Sequence, residues 1–82
     1  NMKEAIASFK RAISRQPNHS QSVNALGVIY EETEKLKDAE AIYRKHLQAS
    51  PNDSVILNRI VHVMFQQEKF EEVIQYAERL AD

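Results

Sequence analysis

Apolar side chains recur along this chain in the same short figure, at Val23, Leu26 and Tyr30, again at Leu36, Ala39 and Tyr43, and again at Leu57, Ile60 and Met64. Steps of three and four residues return to one face of a helix, so each figure marks the buried stripe of an amphipathic helix. Pro17 and Pro51 interrupt the pattern, since proline lacks the amide that would continue a helical ladder. The residues after each proline, Asn18-His19-Ser20 and Asn52-Asp53-Ser54, offer side-chain oxygens to cap the next helix. The pattern predicts five helices, near residues 2–15, 20–33, 36–49, 54–67 and 70–81, and an all-α fold.

The figures are not independent. Pro17 and Pro51 stand 34 residues apart, and the same step relates Ala5 to Ala39, Asn18 to Asn52, Ser20 to Ser54, Asn24 to Asn58, and Glu34-Lys35 to Glu68-Lys69. Where identity lapses the character persists, as in Val23 and Leu57, Leu26 and Ile60, Tyr30 and Met64, Phe9 and Tyr43. One period holds two helices joined by a tight turn, so the repeating unit is a helical hairpin.

A helix–turn–helix unit of 34 residues resembles the tetratricopeptide repeat family. Residues 20–53 carry its signature as Leu26-Gly27, Tyr30, Ala39, Tyr43 and the closing Pro51, with Val23 in place of the first aromatic. Residues 1–19 supply the second-helix half as Ala5, Phe9, Ala12 and Pro17, and residues 54–82 match more loosely through Leu57, Ile60, Val61, Met64, Phe70, Val73 and Ala77. The chain departs from the signature at His46, where the family keeps a small Ala, at Val61, which answers to Gly27, and at Glu34 and Glu68, where the turn commonly has Gly. The resemblance implies a single domain over residues 1–82, an α-solenoid of antiparallel hairpins with a right-handed superhelix, in about two and a half repeats. The helix at 2–15 is then the second half of a hairpin whose first helix is not in the sequence, which points to a fragment of a longer protein. Such a helix leaves Ile6, Phe9 and Ile13 partly uncovered.

Hairpins of this size stack because none can bury its apolar face alone, and the stack presents a groove lined by the first helix of each pair. The resemblance implies that this groove binds a peptide or protein segment, as a scaffold or adaptor. Its groove positions correspond to Gln21, Asn24, Val28 and Glu31 on one helix and to Val55, Asn58, Arg59, His62 and Phe65 on the next. An amide offers both a donor and an acceptor, so Asn24 and Asn58 are expected to pair with the backbone of an extended ligand. Arg59 falls where the family's carboxylate clamp places a basic residue, but Val55 replaces a Lys and Ala25 an Asn, so a receptor for acidic chaperone tails is disfavoured. Self-association through the ends of the stack is the alternative.

Composition narrows the partners further. With 11 basic and 12 acidic residues the net charge is −1, and Lys3, Lys10, Arg11, Lys35, Lys37, Arg44 and Lys45 are interleaved with acids on outer faces. That balance argues against nucleic acid, including the related RNA-reading helical repeats, which would gather cations along the groove. No apolar run nears the ~18 residues of a membrane span, and the absence of Cys suits cytoplasm and periplasm alike.

Catalytic and metal chemistry find no footing. His19, His46 and His62 lack the spacing of paired ligands and have no Cys beside them, so neither a metal nor any other cofactor is expected. The acidic run Glu31-Glu32-Thr33-Glu34 reads as a solvated helix end, and no phosphate loop, serine elbow or Cys–His pair is present. The chain is not expected to be an enzyme.

Overall fold

The computed structural model describes residues 2–16 and 20–81. Along them run α1 (Met2–Arg15), α2 (Ser20–Glu32), α3 (Leu36–Ala49), α4 (Ser54–Gln66) and α5 (Phe70–Ala81). The expected caps at Asn18 and His19, and Pro17 itself, lie outside the described residues.

α2 and α4 end one residue sooner than the pattern predicts, because Thr33 and Gln67 take up the closing turn. After each, a glutamate enters the left-handed region, Glu34 at φ 61° and Glu68 at φ 60°. The Lys35 amide then donates to the Tyr30 carbonyl at 2.7 Å and Glu34 to Glu31 at 3.1 Å, while Lys69 donates to Met64 at 2.9 Å and Glu68 to Phe65 at 3.0 Å. Both are Schellman closures, which fold the chain straight back into α3 and α5. A side chain costs ~1–2 kcal/mol in this conformation, which glycine avoids. Glu34→Gly and Glu68→Gly are therefore expected to stabilise the protein by roughly 0.5–1 kcal/mol each, read as additive rises in melting temperature. A fall on either substitution would show that the glutamate side chain compensates for its own strain.

The helices form two layers. α2 packs on α1, α3 and α4, and α4 on α2, α3 and α5, whereas no Cα of α1, α3 or α5 comes within 8 Å of another of those three. Axes about 10 Å apart and backbones of about 2.3 Å radius account for a thickness of 14 Å across the 35 × 25 Å slab. The core runs along the seam, from Val23, Leu26 and Tyr30 through Ala39, Tyr43 and Leu47 to Ile56, Leu57, Ile60, Val63 and Met64. α1 and α5 bury no residue fully, and Ile6, Phe9 and Ile13 lie half-covered against that core.

Gly27 has a specific reason to be glycine. A Cβ there would overlap Cε1, Cζ and Oη of Tyr43, whose ring is wholly buried across α2. One repeat later, position 61 is Val and the counterpart of Tyr43 is Ala77. The exchange of Gly27 and Tyr43 for Val61 and Ala77 thus moves bulk from the second helix of the pair to the first.

Two carboxylates join the repeats. Asp53 caps α4 by accepting from the amides of Val55 (3.1 Å) and Ile56 (3.3 Å). It also meets His46 Nε2 at 2.8 Å. His46, only 2% exposed, is thereby tied to the start of α4. Glu40 accepts from Lys69 Nζ (2.9 Å), Gln67 Nε2 (2.9 Å) and Arg44 Nη2 (2.7 Å), binding α3 to the α4–α5 turn. Burial alone would raise both carboxyls. For Glu40 the bonds from Lys69, Arg44 and Gln67 outweigh it, and for Asp53 the Ser20 side chain, His46 and the Ile56 amide do, so both are held below the ordinary carboxylate range.

Candidate functional site

The layer formed by α2 and α4 turns one face to α1, α3 and α5 and the other away from them. The outward face carries the predicted groove residues, because Asn24, Val28 and Glu31 on α2, and Val55, Asn58, His62 and Phe65 on α4, recur three or four residues apart, opposite the core stripe. Val55 and Phe65 stand ten residues apart along α4, about 15 Å at the helical rise. A fully extended segment of four or five residues has that reach.

Polar links cross the seam between the helices. Arg59 Nε donates to Asn24 Oδ1 at 2.9 Å. Tyr43 passes over Gly27 and donates its hydroxyl to Glu31 Oε2 at 2.7 Å, and His62 Nε2 lies 3.9 Å from the other oxygen of that carboxylate. Burial and the adjacent Glu31 push the Tyr43 phenol far above its ordinary range, so it stays a donor at any physiological pH. At one end of the face Phe65 is 61% exposed and meets the Phe70 ring edge-on, with centroids 5.4 Å apart. At the other, Val55 is 51% exposed.

Three sequence expectations change here. Asn24 is not a free amide, since its oxygen already accepts from Arg59, whereas both N–H groups of Nδ2 remain to offer. Asn58 Nδ2 donates back to the Ser54 carbonyl at 2.9 Å, which commits one of its two N–H groups and leaves its oxygen open. Each amide is thus half-committed, because a residue on a helix finds partners one turn away or across a close seam before any ligand arrives. The third correction is Glu31, whose side chain is only 12% exposed and belongs to the interior end of the Tyr43 bond rather than to a solvated helix end. Gln21 lies exposed at the start of α2 and His62 is largely open.

Sequence reasoning missed that buried Tyr43 holds Glu31 from beneath this face and that Phe70 borders it. The Leu26-Gly27 pair is the signal that could have found Tyr43, because a glycine on a buried helix face invites a large ring from the neighbouring helix. Phe70 carries no comparable mark, since its stacking depends on how the turn at Glu68 returns the chain.

A tetratricopeptide repeat family model matches residues 1–54, from the first helix to the opening residue of α4. The chain belongs to the tetratricopeptide repeat family. Repeats of this family generally mediate protein–protein interaction and scaffolding and are typically non-enzymatic. No curated protein matches the chain closely enough to count as a relative. Beyond the matched stretch, α4 and α5 keep the same turn and spacing as the preceding tetratricopeptide hairpin. Among the described residues, no helix of this tetratricopeptide repeat chain is long and apolar enough to cross a membrane, and no three acidic or histidine side chains gather where a metal would bind.

Proposed function

We propose that the outward face of α2 and α4 binds an extended peptide segment of a partner protein, in a scaffold or adaptor role. The observation that carries this reading is the pairing, on one ~15 Å face, of two exposed apolar anchors with half-committed amides. Val55 and Phe65 offer apolar contact, while the Asn24 Nδ2 donor and the Asn58 oxygen acceptor face the backbone of the segment between them. Arg59 orients Asn24 and so acts as a positioning residue rather than an independent clamp.

Selection of peptides from a random display library against the chain, followed by titration against the variant carrying Val55→Ser and Phe65→Ser, tests the proposal. Both residues are exposed, so the melting temperature should hold to within ~0.5 kcal/mol of stability while affinity falls roughly tenfold or more. Selected peptides that bind the double variant unchanged would place recognition on another surface.

Self-association is the second reading, favoured by the exposure of Phe70 (51%) and Ile74 (58%) on α5. Ile74 stands where the preceding repeat has Glu40, which is engaged by the α4–α5 turn. Sedimentation of the same protein over rising concentration separates the two readings, because peptide binding requires no change of mass.

A further inference from the structure

On the face opposite the groove, α1 and α3 stand apart over α2 and leave a cleft of about 320 Å³. Ile13, Val23, Leu26 and Ile42 form its apolar floor, and Lys10 on α1 and Lys45 on α3 rise on its two walls. The next repeat has the same feature. Between α3 and α5 lies a smaller cleft of about 190 Å³ lined by Arg44, Leu47, Gln48, Tyr76 and Arg79. A step of 34 residues carries Lys10, Ile13, Ser14, Ile42 and Lys45 of the first cleft onto those five in order. Each cleft therefore has one cation on each wall.

The two differ in what the cations do. In the second cleft Arg44 is held by Glu40 at 2.7 Å and Glu72 at 3.3 Å, and Arg79 sits over the Tyr76 ring at 5.1 Å. Its charges are satisfied within the protein and its floor is filled by the aromatic ring. In the first, the counterpart of Glu40 is Ile6 and that of Tyr76 is Ile42. Asp38, the counterpart of Glu72, forms no ion pair among the described residues, and neither does Lys10 or Lys45. Both lysines are exposed.

We propose that the α1–α3 cleft is a second binding site, which takes an acidic peptide segment by seating one bulky apolar side chain on the floor between two carboxylates. The volume lies at the lower end of the range for ligand sites, about 300–1,000 Å³, enough for one large side chain and its backbone. Cations on opposing walls call for an anionic group on each side of the apolar one. A segment with acidic residues flanking an aromatic provides both. A fatty acid carries a single carboxylate at its end and leaves one wall unmatched, and a phosphate backbone finds nothing on an apolar floor. The site lies away from the α2–α4 groove, so both can be filled at once.

The test is an NMR titration of the whole chain with a synthetic blocked peptide, Asp-Glu-Phe-Glu-Asp, at low salt. Amide shifts should centre on residues 10–14 and 42–46 of the cleft, and binding should weaken several-fold as salt rises. Reversing both rim charges, Lys10→Glu with Lys45→Glu, should leave the melting curve in place and lower affinity roughly tenfold or more. Ile42→Tyr, which imports the filled floor of the second cleft, should weaken binding while leaving the lysines untouched. The proposal is overturned by an absence of shifts at about millimolar peptide, by shifts confined to the α2–α4 face, or by undiminished binding to the charge-reversed protein. Decanoate binding the same residues more tightly than the peptide also overturns it, in favour of a lipid site.

Discussion

Gly27→Ala is expected to destabilise the protein by at least about 1–3 kcal/mol, the usual cost of adding a methyl group to a filled interior. The added Cβ would overlap the Tyr43 ring, which has no room to retreat because it is fully buried. It would also have to release the Glu31 carboxylate, breaking the 2.7 Å bond that links the interior to the groove face. For a domain of this size each kilocalorie lowers the melting temperature by roughly 4–8 °C. Tyr43→Leu should relieve the clash, so in that background Gly27→Ala should cost clearly less than in the parent, and the difference measures the coupling. A Gly27→Ala protein that melts with the parent would mean that α2 and α3 are farther apart than the structure places them.

Asp53→Ala is expected to cost about 2–4 kcal/mol, because one side chain serves two roles. Removing an N-cap costs about 1 kcal/mol, and taking the carboxylate from buried His46 adds the penalty of a weakened buried polar group, about 1–3 kcal/mol. Asparagine keeps the capping oxygen toward the Val55 and Ile56 amides and turns an Nδ2 donor toward His46 Nε2, so Asp53→Asn should cost less than Asp53→Ala at neutral pH. The charge shows itself in acid. Asp53 and Glu40 titrate below their unfolded values, so each adds stability that is complete above the ordinary carboxyl range, near pH 4, and is lost as pH falls through the depressed folded value. Melting temperatures measured downward from pH 6 should decline more gently for Asp53→Asn than for the parent. Parallel acid limbs would show that Asp53 gains nothing from its partners.

The groove predictions depend on a division of labour along α2 and α4, and here the structure altered the picture drawn from sequence. Asn24 and Asn58 are identical at equivalent positions, yet Arg59 holds one and the Ser54 carbonyl holds the other. Repeat identity indicated where the amides lie along the helix, but not which of their atoms remain open. The reason is distance: Arg59 and Asn24 are 35 residues apart in the chain and meet only because α4 packs on α2.

The sequence by itself determined the helices, their ends to within a residue, the pairing into hairpins, and which stripe of each helix is buried. Those features follow from local periodicity, from proline, and from a repeat that enforces the same solution twice. Only the tertiary structure decided that Gly27 exists for Tyr43, that Glu40 and Asp53 tie neighbouring repeats, and that two related clefts differ in their charge partners. Each of these turns on side chains brought together across a close-packed seam, where a fraction of an ångström separates a contact from a clash and no local pattern records the distance.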